Sequence, residues 1–497
     1  MHHRQSCLFT SYFTFSFLIF CSLFLIILSS CSIQKQISKS ARLVLEDSSL
    51  QTAHVGISIY DPESGKYWYN YNGEKYFVPA SNTKLPTCYA AMKYLGDSLV
   101  GLRYGIPEEK GYKDKVVVIQ ASGDPTFLHP DYKKQPVFDF LKHKIIDERK
   151  EPSFMDTAWK EERWGSGWGW SDFDQSYMAE RSPFPIYGNT IKISLEDIQN
   201  RNVSDSDFPG MNKLRLFKTG IPYFDSIVNE GRIQSFSRGT FKDSTVYWSL
   251  KRDISRNAFE AERSSTPFSS INMPFVAHGS YTTLEIIQEL FKKKLSYSVP
   301  TGKKNQFDYE CPDCEISYFH INEWHKIHSQ PTDSLLKPMM HRSDNFFAEQ
   351  SLLMVSNEKL GIMNDDQVID TLLKTDLKDL PQKPRWADGS GLSRYNLFSP
   401  QDFVFILNKM KNEFGMDRIK VILPTGGEGT LSNYYIANKD RFFAKTGTLS
   451  GVVALSGFLY TKGNKLLIFS VLVNNHRSSA TAVRRAVEKF LQNVCNK

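Results

Sequence analysis

An α+β fold with a large β-rich insertion is expected from three features of the 497-residue sequence. Alternating β-branched and aromatic runs stand near both ends, at HVGISIYDPESGKYWYNY and at RFFAKTGTLSGVVALSGFLY with KLLIFSVLVNN. Amphipathic helical patterns lie beside them. The middle, residues 101–270, is rich in Gly, Asp, Ser and Trp, with short strand-like pieces such as VVVIQASGDPTF, KISLEDI and STVYWSLKR. The length exceeds what one core usually serves, so at least two domains are expected. With 41% hydrophobic and 13% aromatic residues the chain is globular. A net charge of +7 without a long Lys/Arg run gives no reason to expect nucleic-acid binding.

The first 31 residues are read as an export signal. A basic start (His2, His3, Arg4) precedes an apolar run from Phe13 to Leu28, closed by Leu28-Ser29-Ser30-Cys31. That ending resembles a bacterial lipobox, which would make Cys31 the lipidated first residue of an anchored, periplasm-facing protein. The alternative is an uncleaved membrane anchor. Cys311-Pro-Asp-Cys314 offers a zinc half-site or a redox pair. With no second pair nearby, a small loop disulfide is the plainer reading. No metal and no organic cofactor is expected.

Pro62-Glu63-Ser64-Gly65 and Asn72-Gly73 carry turn chemistry, so strands deliver the chain to FVPASNTKLPTCYAAMKYL. There, apolar residues at helical spacing predict a helix whose first turn holds both Ser81 and Lys84. Residues three apart share a helix face, so hydroxyl and amine point the same way. A desolvated or cation-flanked lysine is neutral enough to take a serine proton. Cys88, one turn on, reads as a small buried apolar residue. TTLEIIQELFKKK predicts a helix over 281–294, and SLLKPMMHRSDNFFAEQSLLMVS two helices broken at His341 to Asp344. The chain closes on the helix SSATAVRRAVEKFLQNV.

Alone, Ser-x-x-Lys is a weak signal. Two later groups change that: Ser343-Asp344-Asn345 opens a helix, and Lys445-Thr446-Gly447-Thr448 lies on a strand. In this order the three resemble the signature of the penicillin-recognising serine enzymes. The long stretch between Ser81 and Ser343 resembles the class C low-molecular-mass penicillin-binding proteins, the D-alanyl-D-alanine carboxypeptidase/endopeptidase family. VIQASGDPTF, PMMHRSDNFFAEQSLL, DGSGLSRYN, LPTGGEGTL and WGWSDFDQSYMA are similar to that family's other segments. Thr425 and Glu180-Arg181 depart from it, standing where apolar residues are usual.

The resemblance implies a penicillin-binding/β-lactamase-like core, a five-stranded antiparallel sheet flanked by helices. That core is expected from residues 32–100 and 271–497, with 101–270 inserted and a nested lobe near 195–260. The implied catalytic set is Ser81, Lys84, Ser343, Asn345 and Lys445. Lys445 is expected to lower the Lys84 pKa by repulsion, along with partial desolvation, Ser343 to relay a proton, and Asn345 to bond Lys84 and the substrate amide. Thr446, Gly447 and Thr448 would bind the peptide, with the Ser81 and Thr448 N–H groups as oxyanion donors. Asp172, Tyr177 and Arg394 match residues facing the diamino acid of a peptidoglycan stem. Peptidoglycan stem peptides are thus the expected partners, β-lactams the expected covalent inhibitors, and the N-terminal lipid the link to the membrane. The rival readings are a β-lactamase or esterase on the same core, and a non-catalytic wall-binding lipoprotein.

Overall fold

The computed structural model describes residues 35–108, 111–198, 214–230, 247–264, 270–298 and 321–497. The export signal, Cys31 and the Cys311–Cys314 pair lie outside the described residues, as does part of the 195–260 stretch. Among the described residues no helix is long and apolar enough to cross a membrane. The chain divides into two compact units. One takes in the described residues up to Asn82, with Leu380–Arg385 and Leu397–Lys497; the other is Thr83–Asp379 with Trp386–Asn396.

The first unit is built on one antiparallel five-stranded sheet. Its order is Phe442–Leu449, Val452–Tyr460, Leu466–Asn474, His54–Asp61, Lys66–Tyr71. RFFAKTGTLSGVVALSGFLY, one alternating run in the sequence, is a hairpin of two strands. It turns at Ser450-Gly451, where Gly451 has φ +74 and so adopts the left-handed conformation glycine tolerates. Alternation sorts the side chains. Ile57, Ile59, Val453, Leu455, Val471 and Val473 join one core with the helix over 35–45 and the C-terminal helix Ala480–Cys495. Residues of opposite parity meet Pro400–Ile422 on the other face: a Cβ on Gly56 would run into Pro400 and Phe77. A polar row crosses the sheet in register, from Lys445 through Ser456, Ser470 and Ser58 to Asn70.

The second unit holds a mixed sheet in the order Ser296–Ser298, Glu151–Met155, Val116–Ala121, Ser98–Gly105, His325–Pro331. Its first two pairings are parallel and its last two antiparallel. This sheet reaches beyond 101–270 on both sides. A three-stranded sheet (Ser270–Pro274, Thr190–Ile198, Leu214–Lys218) and the helix Tyr281–Phe291, ended by Lys292 in the left-handed conformation, belong to the same unit. Ile286, Ile287, Phe154, Ile193 and Phe275 pack in one core there.

The helices that carry the motifs also lie in this unit. Thr332–His341 ends just before Ser343, and Asn345–Leu360 starts just after it. Asp344 caps the latter, accepting from Phe347 N at 3.0 Å, and Gly361 ends it at φ +72. Cys88 and Cys495 are free thiols, both buried.

Candidate active site

The predicted groups fall partly in one unit and partly in the other. In the first, Ala80 takes φ +48 and the chain enters a tight turn, Ala80–Thr83. Ser81 therefore stands in a 3-10 turn, and the α-helix proper begins at Lys84 and runs to Tyr94. The pair expected in the first turn of one α-helix straddles its start. Pro86, in the first turn, loses no helical hydrogen bond. Asn82 is fully buried; its Nδ2 donates to Ser456 Oγ at 2.8 Å, and Ser456 donates to Ser470 Oγ at 2.8 Å. The turn is thereby fastened to the polar row whose end is Lys445.

Phe442–Leu449 is the edge of its sheet. Thr425 bridges Phe443, and Ala444 N donates to Pro424 O at 3.1 Å, so the start of that edge is covered. From Lys445 onward no second strand pairs with it among the described residues. Gly447 approaches the nucleophile turn so closely that an added Cβ would stand 2.7 Å from Pro79 O and 3.0 Å from Ser81 N. Lys445 is buried, its Nζ donating to Thr446 O at 2.7 Å. Thr446 Oγ1 donates to Thr430 Oγ1 at 2.8 Å, and Arg484 donates to Thr448 Oγ1. Thr425, a departure from the family pattern, accepts on Oγ1 from Asp440 N at 3.0 Å.

In the second unit Lys84 is 0% exposed. Its Nζ donates to Asn345 Oδ1 at 2.7 Å and to Ser390 O at 2.7 Å. Burial pulls its pKa down to about 8, against the carboxylates of Asp388, Glu349 and Asp344, which favour the charged form. Desolvation, expected from the sequence alongside repulsion by Lys445, is therefore the main cause. Asn345 Nδ2 donates to Tyr177 O at 3.0 Å.

Ser343 is half-buried with φ +60, a backbone state that costs a non-glycine residue roughly 1–2 kcal/mol. Asp344 does the capping, so Ser343 is not there as a helix cap.

Asp172 ends a short turn, Trp170–Asp172; burial, together with the Asp172 carboxylate, raises the Tyr177 phenol. Trp170 is 77% exposed. Trp168 reaches the other way, donating from Nε1 to Asp388 Oδ2 at 3.0 Å. Arg394 is exposed on the same loop as Asp388, and its neighbour Tyr395 lies against Gly167. Asp172, Tyr177 and Arg394 thus fall in one unit, on loops joined by the Trp168–Asp388 bond.

Sequence reading missed the buried charges behind Lys84. Asp388 accepts from Ser393 N (2.6 Å), Gly391 N (2.8 Å), Asn396 Nδ2 (2.8 Å) and Trp168. Glu349 accepts from Ser390 N at 2.8 Å. Arg181 meets Asp365 at 2.5 Å, Glu161 at 3.0 Å and Glu349 at 3.6 Å, while Glu180 meets Arg252 at 3.2 Å. The one available signal was Glu180-Arg181, charged where the family tends to be apolar. Among the described residues no group of His, Cys, Asp or Glu is arranged to hold a metal ion.

The model of the D-Ala-D-Ala carboxypeptidase 3 (S13) family matches residues 37–216 and 323–494, more than half of the chain. The chain belongs to this family. Among curated S13-like relatives, D-alanyl-D-alanine carboxypeptidase of Actinomadura sp. (strain R39) is 26% identical over 474 residues, 89% of this chain and 82% of that protein. D-alanyl-D-alanine carboxypeptidase DacB of Haemophilus influenzae is 23% identical over 454 residues, 86% and 87% respectively. The crystal structure of penicillin binding protein 4 (dacB) from Haemophilus influenzae superposes with a TM-score of 0.66 at 19% identity, covering 93% of this chain and 98% of that one. It carries the fold: a penicillin-binding core with its antiparallel five-stranded sheet. The S13 member described here is a serine-type D-Ala-D-Ala peptidase.

Proposed function

We propose that this peptidase works through an acyl-enzyme on Ser81, cleaving D-alanyl-D-alanine termini or cross-links of peptidoglycan. Ser81 Oγ attacks the carbonyl carbon and its proton passes to Lys84 Nζ. The proton then goes through the Ser343 hydroxyl to the departing amine, and water hydrolyses the ester. The observation that carries this reading is Lys84: a buried amine, with its pKa near 8, one turn after the serine and held by Asn345. Lys445, Thr446 and Thr448 would hold the terminal carboxylate, and the edge strand would pair with the peptide. The Ser81 and Thr448 N–H groups would hold the oxyanion, such donors being typically worth about 3 kcal/mol each. Asp172, Tyr177 and Arg394 would face the diamino acid of the stem.

β-Lactams would acylate the same serine. A related Haemophilus influenzae structure is described as complexed with a β-lactam, which supports this. Export, with lipid on Cys31 holding the enzyme to a bacterial membrane on its periplasmic side, completes the reading. So does a core made of 32–100 and 271–497 with 101–270 inserted between. The test is intact-protein mass spectrometry after exposure to penicillin. One adduct on the wild type and none on Ser81→Ala is expected. An equal adduct on both overturns the assignment, and rapid turnover of nitrocefin without an adduct would point to a β-lactamase instead.

A further inference from the structure

Two contacts of Lys84, to Asn345 and to Ser390, trace back to one face of one helix. Asn345 and Glu349 are four residues apart on Asn345–Leu360 and so lie one above the other. Asn345 reaches Lys84 directly, at 2.7 Å. Glu349 Oε1 accepts from the Ser390 amide at 2.8 Å, and the carbonyl of that same residue accepts from Lys84 Nζ at 2.7 Å. The loop rests on the helix backbone to backbone: a Cβ on Gly389 would come 2.7 Å from Ala348 O and 3.2 Å from Glu349 Cα. Thr87 Oγ1, on the helix that carries Lys84, donates to Gly389 O at 2.7 Å.

A neutral amine has two hydrogens and one lone pair. With its hydrogens directed at Asn345 Oδ1 and Ser390 O, the direction of the lone pair follows from those two acceptors. We propose that Glu349 is a positioning residue for the reaction: it holds the Ser390 carbonyl on Lys84 so that the amine's lone pair is turned to the proton of Ser81. This rests on the reading of Ser81 and Lys84 given above. The carboxyl also faces Arg181, Asp388 and Asp365, and its Oε2 accepts no hydrogen bond among the described residues. Burial and the Asp388 charge push its pKa upward while Arg181 opposes them. When ionised it eases the charge that Lys84 acquires on taking the proton.

The test measures penicillin acylation by stopped flow, separating the maximal acylation rate from the preceding binding constant, across pH, for wild type, Glu349→Gln, Glu349→Leu and Ser81→Ala. Glu349→Gln keeps an acceptor for the Ser390 amide but removes the charge. Its maximal rate should stay within about threefold, with the acidic limb of the profile moved to lower pH. Glu349→Leu removes the acceptor and should lose about thirtyfold or more in maximal rate with binding unchanged, since misplacement of a reacting group by an ångström can cost about a hundredfold. A Leu variant that melts cooperatively and acylates within threefold of wild type overturns the proposal. So does a Gln variant as slow as the Leu variant with its limb unmoved. If the Leu variant does not melt cooperatively, the Gln limb decides: moved supports the proposal, unmoved overturns it. Acylated Ser81→Ala would instead sink the Ser81 reading and this inference with it.

Discussion

A Cβ added at Gly447 would lie 3.0 Å from the backbone nitrogen of Ser81, and both residues belong to the same compact unit. The lysine-threonine-glycine strand and the nucleophile turn are therefore packed without room for a methyl group. Gly447→Ala must push the turn, because the nearer obstacle, Pro79 O at 2.7 Å, is main chain and cannot swing aside. Acylation by a fluorescent penicillin is expected to fall about a hundredfold, with thermal unfolding lowered much less.

The Lys84 amine must be neutral to accept a proton. Its pKa of about 8 therefore predicts acylation that climbs tenfold per pH unit below that value and levels above it. The sign follows from the charge: acid protonates the amine and removes the base. Lys84→Arg stays charged at any accessible pH. It should lose both the limb and at least about a hundredfold in rate, read from acylation kinetics between pH 6 and 10.

The Asp172 carboxylate helps raise the Tyr177 phenol, near the exposed Trp170. Asp172→Ala should raise KM about tenfold for a peptide ending in D-Ala-D-Ala with a free amine on its third side chain, as expected for loss of one partly exposed charge pair. A peptide with alanine at that place, and penicillin acylation, should change little. Equal losses on both peptides would remove these residues from substrate recognition.

Arg181 is buried among Glu161, Glu349 and Asp365. Arg181→Met leaves carboxylates buried without their cation and should cost about 3–5 kcal/mol at neutral pH. Burial raises the pKa of Glu161 and Glu349, so acid protonates these groups readily. The gap between variant and wild type should therefore narrow as pH falls from 8 towards 5, measured by urea unfolding at each pH.

How far the sequence went can be judged from particular residues. Ser81, Lys84, Ser343, Asn345 and Lys445 were legible because short motifs carry them, and the break at His341 to Asp344 because it interrupts two apolar helical patterns. The Ser450-Gly451 turn was passed over because apolar strand residues run up to it on both sides. Glu349, Ser390, Asp388 and Arg181 were invisible as a group. They meet through tertiary packing between the helix Asn345–Leu360 and two loops, and nothing in local periodicity pairs them. Glu349 lies in a helix buried nearly all round, so its charge was the only local sign of a partner. That burial outweighs repulsion in depressing the Lys84 amine had to be seen, since residue spacing does not rank the two.

Cys88 and Cys495 have consequences for handling the protein. Both thiols sit inside cores, and burial pushes that of Cys495 up to about 12, far from a reactive thiolate. The described fold thus makes no demand on an oxidising environment at these two positions. A cytosolic expression host with reducing conditions, and dithiothreitol throughout purification, should leave both of these cores as they are.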